Sequence, residues 1–544
     1  MSPFLRSHRC TLSTLSPVHL GTGEDYLPTH YIIDDGYLHA FSDMALLQGL
    51  GSRGLNNLLN IVEQGDPSAL LAVRREILKH KDQLIPLASH SVMVHDGISS
   101  LYQQRVVNVA QVETGHQART INNALKIARI AANPFSHQPE LTGSAIKGAI
   151  RTAWLDALLK KNPTAKNDRD FNRNPASVLL DSRNVTDDPF YSLKVSDGQY
   201  QSAEGLAPTE TLFAVGARRK RSDKYAARSL NTMLECLSPW RDQCFEFDIR
   251  LLDSTQRKDS GLVPQTLQAL VKACNDYYLP KLYDELAQLG DESGYLQPGW
   301  ISSLKTLLSG QGELLKALMN QQAMLLRIGK HSGAEDKTLN GARSIKIIMG
   351  QGQAPEYRAN TTQVRLAGSQ QNQQTNLLPF GWVVIEFNDT NIPALRHVMH
   401  QQSEPARARL AKEQQRQSAK LEAARQRQQA AAEQARQQAE AKAKRLKEEQ
   451  DERERQAALA AMTAEKRAIA ELQETLKNSQ AEKGRGPGSS LYTKTRDAVQ
   501  QAAEWNTDDK TALKTVVLDI FNLLGVNPKG DKPKALLKTL QPPT

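Results

Sequence analysis

The residues of this chain best suited to chemistry are cations standing beside glycines. In Leu141-Thr-Gly-Ser-Ala-Ile-Lys-Gly-Ala-Ile-Arg151, Thr142 and Ser144 suit a helix N-cap. Ile146, Ala149, Ile150, Ala153, Ala157 and Leu158 then recur at helical spacing and give one apolar stripe to bury. Lys147 and Arg151 stand four apart on another face, and glycines at 143 and 148 allow close backbone approach. A helix N-terminus offers unpaired N–H groups and the positive end of a dipole, so the stretch reads as a loop turning into a phosphate-facing helix. The competing reading is an ordinary capped amphipathic helix with a solvated basic flank.

Two more stretches carry the same chemistry. Residues 211–221, TLFAVGARRKR, read as a strand ending in Arg218, Arg219, Lys220 and Arg221, with Lys224, Tyr225 and Arg228 close behind. Such a cluster neutralises phosphates and makes nucleic-acid affinity salt-sensitive; as a solvated hairpin tip it needs no ligand. In Leu326-Arg-Ile-Gly-Lys-His-Ser-Gly333 a strand runs into a loop whose Gly329 and Gly333 bracket Lys330, His331 and Ser332. That loop suits a phosphate or ribose, or is simply a turn. Residues 118–132 set Arg119, Lys126 and Arg129 beside an apolar stripe and read as a basic helix.

Acid–base chemistry is the other possibility. His19, His30, His95, His137 and His331 titrate in the useful range, but no histidine, tyrosine or lysine is fixed to His19 by spacing. No carboxylates stand at two-metal spacing, and Cys10, Cys236, Cys244 and Cys274 include no CxxC pair. No catalytic residue, metal or cofactor is therefore expected.

The elements that must position these groups are legible in outline. Strands are expected over parts of 10–37 around the Gly21-Thr22-Gly23 loop, at 92–96, in the second half of 188–197, at 211–217, at 245–251, at 325–328 and at 377–387; helices fill 40–87 and 264–320. The whole is an α+β chain. With 544 residues it exceeds one core and implies two to four domains. Lys plus Arg number 69 against 59 for Asp plus Glu, a net +10 compatible with a polyanionic partner. No apolar run has membrane length and the start has no signal-peptide core, so a soluble cytoplasmic protein without a membrane partner is expected. From Ala406 to Lys483 there is no glycine or proline, and Ala, Gln, Glu, Lys and Arg dominate. That segment reads as a long charged helix or coiled-coil linker over 401–483, whose Leu459, Met462, Ile469, Leu472 and Leu476 keep a three-and-four spacing over about two heptads. A flexible Gly-Arg-Gly-Pro-Gly joint then leads into a small helical module over 484–544.

Taken in order, Leu15-Ser-Pro-Val-His-Leu-Gly-Thr-Gly23, Thr142 to Arg151 and Leu326 to Gly333 resemble the RAMP superfamily of CRISPR-Cas proteins. The opening SPVHLGTGEDYLPTHYIID, residues 188–197, the ECLSP run at 235–239 and the LPFGW strand are similar to the subunits that cap the guide-RNA 3′ end in type III-A (Csm) interference complexes. The resemblance covers residues 9 to about 390. It implies two ferredoxin-like, RRM-like domains with helical insertions, over 1–243 and 244–400, and crRNA, target RNA and other RAMP subunits as partners. Carried over, His19, Gly21 and Gly23 lie in the first loop, Ser144, Lys147, Gly148 and Arg151 at the helix start, and Gly329, Lys330, His331 and Gly333 in the late loop. A non-catalytic RNA-binding cap is implied. Alternatives are a metal-independent guide-processing ribonuclease using His19 or His331, and a scaffold whose residues 401–544 recruit a nuclease or another protein.

Overall fold

A computed structural model describes residues 5–63, 69–107, 125–182, 184–202, 204–221, 231–252, 260–349 and 352–541. Its contacts divide into two units, residues 1–414 and 415–544.

The first unit is built on two sheets. One runs in the order Ala323–Arg327, Trp382–Phe387, Leu5–Thr14, Arg241–Leu252, Gly198–Tyr200, Glu140–Leu141, with Leu193–Val195 also beside Arg241–Leu252. Its centre is antiparallel, with Leu12 opposite Phe245 on one side and Ile385 on the other. Ala323–Arg327 and Trp382–Phe387 are buried at every position, which is why, Arg327 and Glu386 apart, they read as apolar runs rather than alternating ones. The other sheet runs Gly21–Tyr26, Ile127–Ile130, Thr232–Leu237, Thr209–Arg218, His90–Val94, Tyr37–Ala40, Tyr31–Asp34, with Gln363–Gly368 on Thr209–Arg218 and Leu378–Pro379 beyond it. Asp35 and Gly36, both at positive φ, close the Tyr31–Asp34/Tyr37–Ala40 hairpin as an Asp-Gly pair should.

Three expectations are corrected here. A boundary at 243/244 falls inside the strand Arg241–Leu252, which pairs with the first strand of the chain along nearly its whole length. A strand covered on both edges finds partners wherever the chain offers them, so each sheet draws from both sides of that position. The described part of 118–132 is not a helix: Ile127–Ile130 is a strand between Gly21–Tyr26 and Thr232–Leu237, with both isoleucines buried. Arg119, and also Lys224, Tyr225 and Arg228 of the basic cluster, lie outside the described residues. Third, the segment past 400 divides differently. A helix spans Glu404–Ala461, then Met462 and Thr463 interrupt it, and Ala464–Asn478 belongs to the terminal module. Its Ile469 and Leu472 share a core with Leu491, Val499, Leu513, Val517, Phe521 and Leu524, because a module of three short helices leaves apolar surface that a fourth must cover. The glycine-rich stretch is part of the packing as well, for the Gly484 N–H donates to the Leu523 carbonyl at 2.9 Å.

Within that module Asn506 caps the helix Thr507–Leu524: its Oδ1 accepts from the Asp509 N–H at 2.8 Å, while its Nδ2 donates to the Asp509 carboxylate at 2.6 Å. Asn506→Ala is expected to destabilise the module by about 1 kcal/mol. Amides in 507–524 should then exchange roughly fivefold faster in hydrogen-exchange mass spectrometry, with residues 5–414 unaffected.

Candidate nucleic-acid interface

Two of the three glycine-and-cation stretches, and the start of the third, meet at one cavity of about 500 Å³ in the first unit. His19, Gly21 and Gly23 come from the expected first loop, whose glycines in fact open the irregular strand Gly21–Tyr26, Thr142 and Ala145 from the start of the helix Gly143–Lys161, and Gly329 and Lys330 from the late loop. Arg129 and Lys337 complete the cationic wall.

The first loop is fixed by the sheet edge. Val18 and Leu237 exchange both backbone hydrogen bonds, at 3.2 and 2.8 Å, and Trp300 Nε1 donates to the Leu15 carbonyl at 2.8 Å. His19 is buried, with Nδ1 2.6 Å from the Glu235 carbonyl oxygen. Burial, then the neighbouring Lys330, outweigh that hydrogen bond and hold its pKa below the ordinary histidine value. The Glu235 carboxylate faces elsewhere: it accepts from Thr209 Oγ1 at 2.9 Å, from the Tyr26 hydroxyl at 3.0 Å and from the Ile130 N–H at 3.3 Å. Burial raises its pKa despite those donors.

The late loop is tied to the first one. The Lys330 N–H donates to the His19 carbonyl at 2.9 Å, and the Ile328 N–H to Gly381 at 2.9 Å. Gly329 has φ +83°, and a Cβ there would stand 2.6 Å from the His19 carbonyl oxygen. Glycine at 329 is thus required twice, by backbone conformation and by close approach. Behind the loop Arg327 reaches Asp336 at 2.6 Å and Glu285 at 2.8 Å, and Tyr277 donates to the Thr338 carbonyl at 2.6 Å. Lys330 and Lys337 are exposed, whereas Arg129 lies over the Tyr26 ring at 4.9 Å and 3.5 Å from Glu24.

The opening helix presents a different picture from its sequence. Thr142 is the N-cap but its hydroxyl caps nothing; instead the Asp197 carboxylate accepts from the Gly143 N–H at 2.7 Å. An internal anion therefore sits at the helix N-terminus. Lys147 Nζ donates to the Leu193 carbonyl at 2.7 Å, and burial lowers its pKa. Arg151 pairs with Asp188 at 2.6 Å and covers the Phe190 ring at 5.1 Å. Both cations hold the 188–195 segment against the helix, which corrects the expectation that they face a ligand, and neither lines the cavity. Ser144 and Gly148 are exposed outside it.

The basic tip is likewise engaged. Arg219 pairs with Glu335 at 2.8 Å, and Arg221 donates to the Ser293 carbonyl at 3.1 Å and lies 5.6 Å from the Tyr295 ring centre. Arg219 lines a separate cavity of about 420 Å³ with Lys281, Arg327, Glu335 and Asp336; Arg218 ends its strand half-buried and Lys220 is exposed. His331, at φ 65°, packs 5.4 Å from Phe380, and burial and Lys330 lower its pKa to about 4. Gly333 follows at φ +90° beside Glu335. The other histidines are paired: His30 with Asp43 at 2.8 Å, His95 with Glu210 at 3.0 Å, and His137 stacked on His90 at 4.3 Å. Among the described residues no cluster of metal-ligating side chains occurs, and no helix is long and apolar enough to cross a membrane.

Sequence reasoning missed Arg129 as part of the site because its strand was read as a helix, and gave Lys337 and Glu235 no role. Ile127 and Ile130 stand three apart, a spacing that suits a helix as well as a strand, so nothing local marks any of the three.

Residues 11–263 match the family model of the RAMP superfamily. No curated protein matches the chain. Among solved structures, the chain is similar to a chain of a cryo-EM structure of a Csm-crRNA-target RNA ternary complex of a type III-A CRISPR-Cas system, with 16% identity and a TM-score of 0.46 over 70% of this chain and 100% of that one. It is also similar to Csm5 of T. onnurineus, with 16% identity and a TM-score of 0.39 over 69% and 99%.

Proposed function

We propose, from the membership of residues 11–263 in the RAMP superfamily, that this chain is a non-catalytic RNA-binding subunit of a type III-A CRISPR-Cas effector complex, seating the 3′ part of the crRNA and its duplex with target RNA beside other RAMP subunits. The observation that carries the reading is the meeting of the His19-Gly21-Gly23 loop, Arg129 and the Gly329-Lys330 loop on one cavity. Glycine backbones there admit a sugar–phosphate strand closely, and three cations answer its charge. Sequence is then read by base pairing within the RNA, and the protein reads its backbone.

The test is a salt titration of guide-RNA affinity by fluorescence anisotropy. Arg129→Ala, Lys330→Ala and Lys337→Ala combined are expected to reduce the slope of log K against log salt by about 2, at roughly 0.7 per phosphate contact for a single strand. Lys147→Ala with Arg151→Ala is expected to leave that slope unchanged, since both are occupied within the fold. An unchanged slope in the triple variant defeats the assignment.

A further inference from the structure

Resting on that reading, we propose that His19 recognises the ribose 2′-hydroxyl: its Nε2 accepts a hydrogen bond from that group, and this is how the cavity tells RNA from DNA.

The tautomer follows from the partner. Nδ1 lies 2.6 Å from the Glu235 carbonyl oxygen, and a carbonyl can only accept, so Nδ1 carries the proton. In a neutral imidazole the other nitrogen is then an acceptor. Neutrality is set by the surroundings: the ring is 1% exposed, the Lys330 ammonium is near, and the Glu235 carboxylate is taken up by Thr209, Tyr26 and Ile130 on its other side. Among the described residues no group donates to Nε2.

Gly21 leaves that nitrogen open. A Cβ at position 21 would stand 2.5 Å from Nε2 and cover it; without one, the ring forms part of the cavity wall. The rest of the wall is suited to phosphate, through Arg129, Lys330, Lys337 and the glycine backbones. The wall's two carboxylates already have cations, Glu24 with Arg129 at 3.5 Å and Asp25 with Lys126 at 3.9 Å. His19 Nε2 is an acceptor on this wall with no donor among the described residues. In the sugar–phosphate backbone the only hydrogen-bond donor is the 2′-hydroxyl, the group by which proteins distinguish RNA from DNA.

The experiment compares affinities for one single-stranded sequence made as RNA and as DNA, using the full chain, His19→Asn and Gly21→Ala. Asparagine keeps an N–H for the Glu235 carbonyl but, being shorter, has no acceptor at the position of Nε2; alanine at 21 crowds Nε2 with the imidazole retained. Both variants are expected to lose roughly five- to tenfold in the ratio of RNA to DNA affinity. RNAs carrying one 2′-deoxy sugar at a time should reproduce that loss at a single position in the parent chain and at none in His19→Asn. An RNA-to-DNA ratio that stays the same in both variants overturns the inference while leaving RNA binding in place. Failure of the parent chain to bind RNA defeats the functional reading and the inference with it. A discrete cleavage product formed in EDTA and lost in His19→Asn also overturns it, because Nε2 would then remove the 2′-hydroxyl proton instead of only binding it.

Discussion

Arg327→Met is expected to lower the stability of the first unit by about 3–5 kcal/mol, read from the urea midpoint of the full chain and from hydrogen exchange in residues 323–327 and 382–387. The guanidinium is 9% exposed and spends its donors on three groups: the Asp336 carboxylate at 2.6 Å, the Glu285 carboxylate at 2.8 Å and the Phe380 carbonyl at 2.8 Å. It also lies 5.0 Å from the Trp382 ring, whose Nε1 donates to Glu285 at 2.6 Å. Burial opposes its charge, yet the two carboxylates outweigh burial and hold its pKa above the usual value. Methionine preserves most of the stem's packing and removes the charge, stranding two carboxylates in a low-dielectric interior. Removal of one partner, rather than absence of the whole pair, is what destabilises. Adding Glu285→Gln and Asp336→Asn to Arg327→Met is therefore expected to recover a large part of the loss. No recovery would mean that shape, not charge, is what Arg327 contributes. The effect should reach the site, since Arg327 stands two residues before Gly329 and Asp336 three after Gly333, so the network clamps both ends of the late loop.

Gly329→Val joins stability and binding more directly. At φ +83° a β-branched residue is a steric outlier, and its Cβ would collide with a backbone oxygen rather than with a movable side chain. Strain and overpacking together are expected to cost about 2–5 kcal/mol. If the chain responds by moving the loop instead, the Lys330 N–H leaves the His19 carbonyl and RNA affinity falls by about tenfold or more. The two responses separate in one set of measurements, thermal unfolding beside anisotropy with guide RNA. A variant that keeps both parent stability and parent affinity would show that the loops do not depend on each other. Gly23→Ala is the natural comparison, because Gly23 also has positive φ but nothing lies within 4 Å of its absent Cβ.

Local pattern alone determined a good deal of this protein. The mainly apolar runs at 323–327 and 382–387, the Asp35-Gly36 turn and the periodic stripe of 143–161 each follow from neighbours in the chain, and each became the element its pattern implies. Gly329 was likewise legible, since a glycine between a strand and a cation suits a backbone that something approaches closely. What approaches Gly329 is the His19 carbonyl, 310 residues earlier in the chain, and no local pattern encodes that.

Tertiary structure decided the fate of the charges. Lys147 and Arg151 are as basic as Arg129 and Lys330, but the segment 188–195 takes up the first pair, whereas Lys330 stands exposed at the cavity and Arg129 lines it while paired with Glu24. Arg219 meets Glu335 in the same way, across more than a hundred residues. How far a charge is taken up within the fold depends on which carboxylates and carbonyls reach it, and that depends on which strands are neighbours. In this chain Gly21–Tyr26 and Ile127–Ile130 are neighbours in one sheet and Ala323–Arg327 runs into the late loop from the other, so the pairing of strands, more than any single motif, selects the residues that line the cavity.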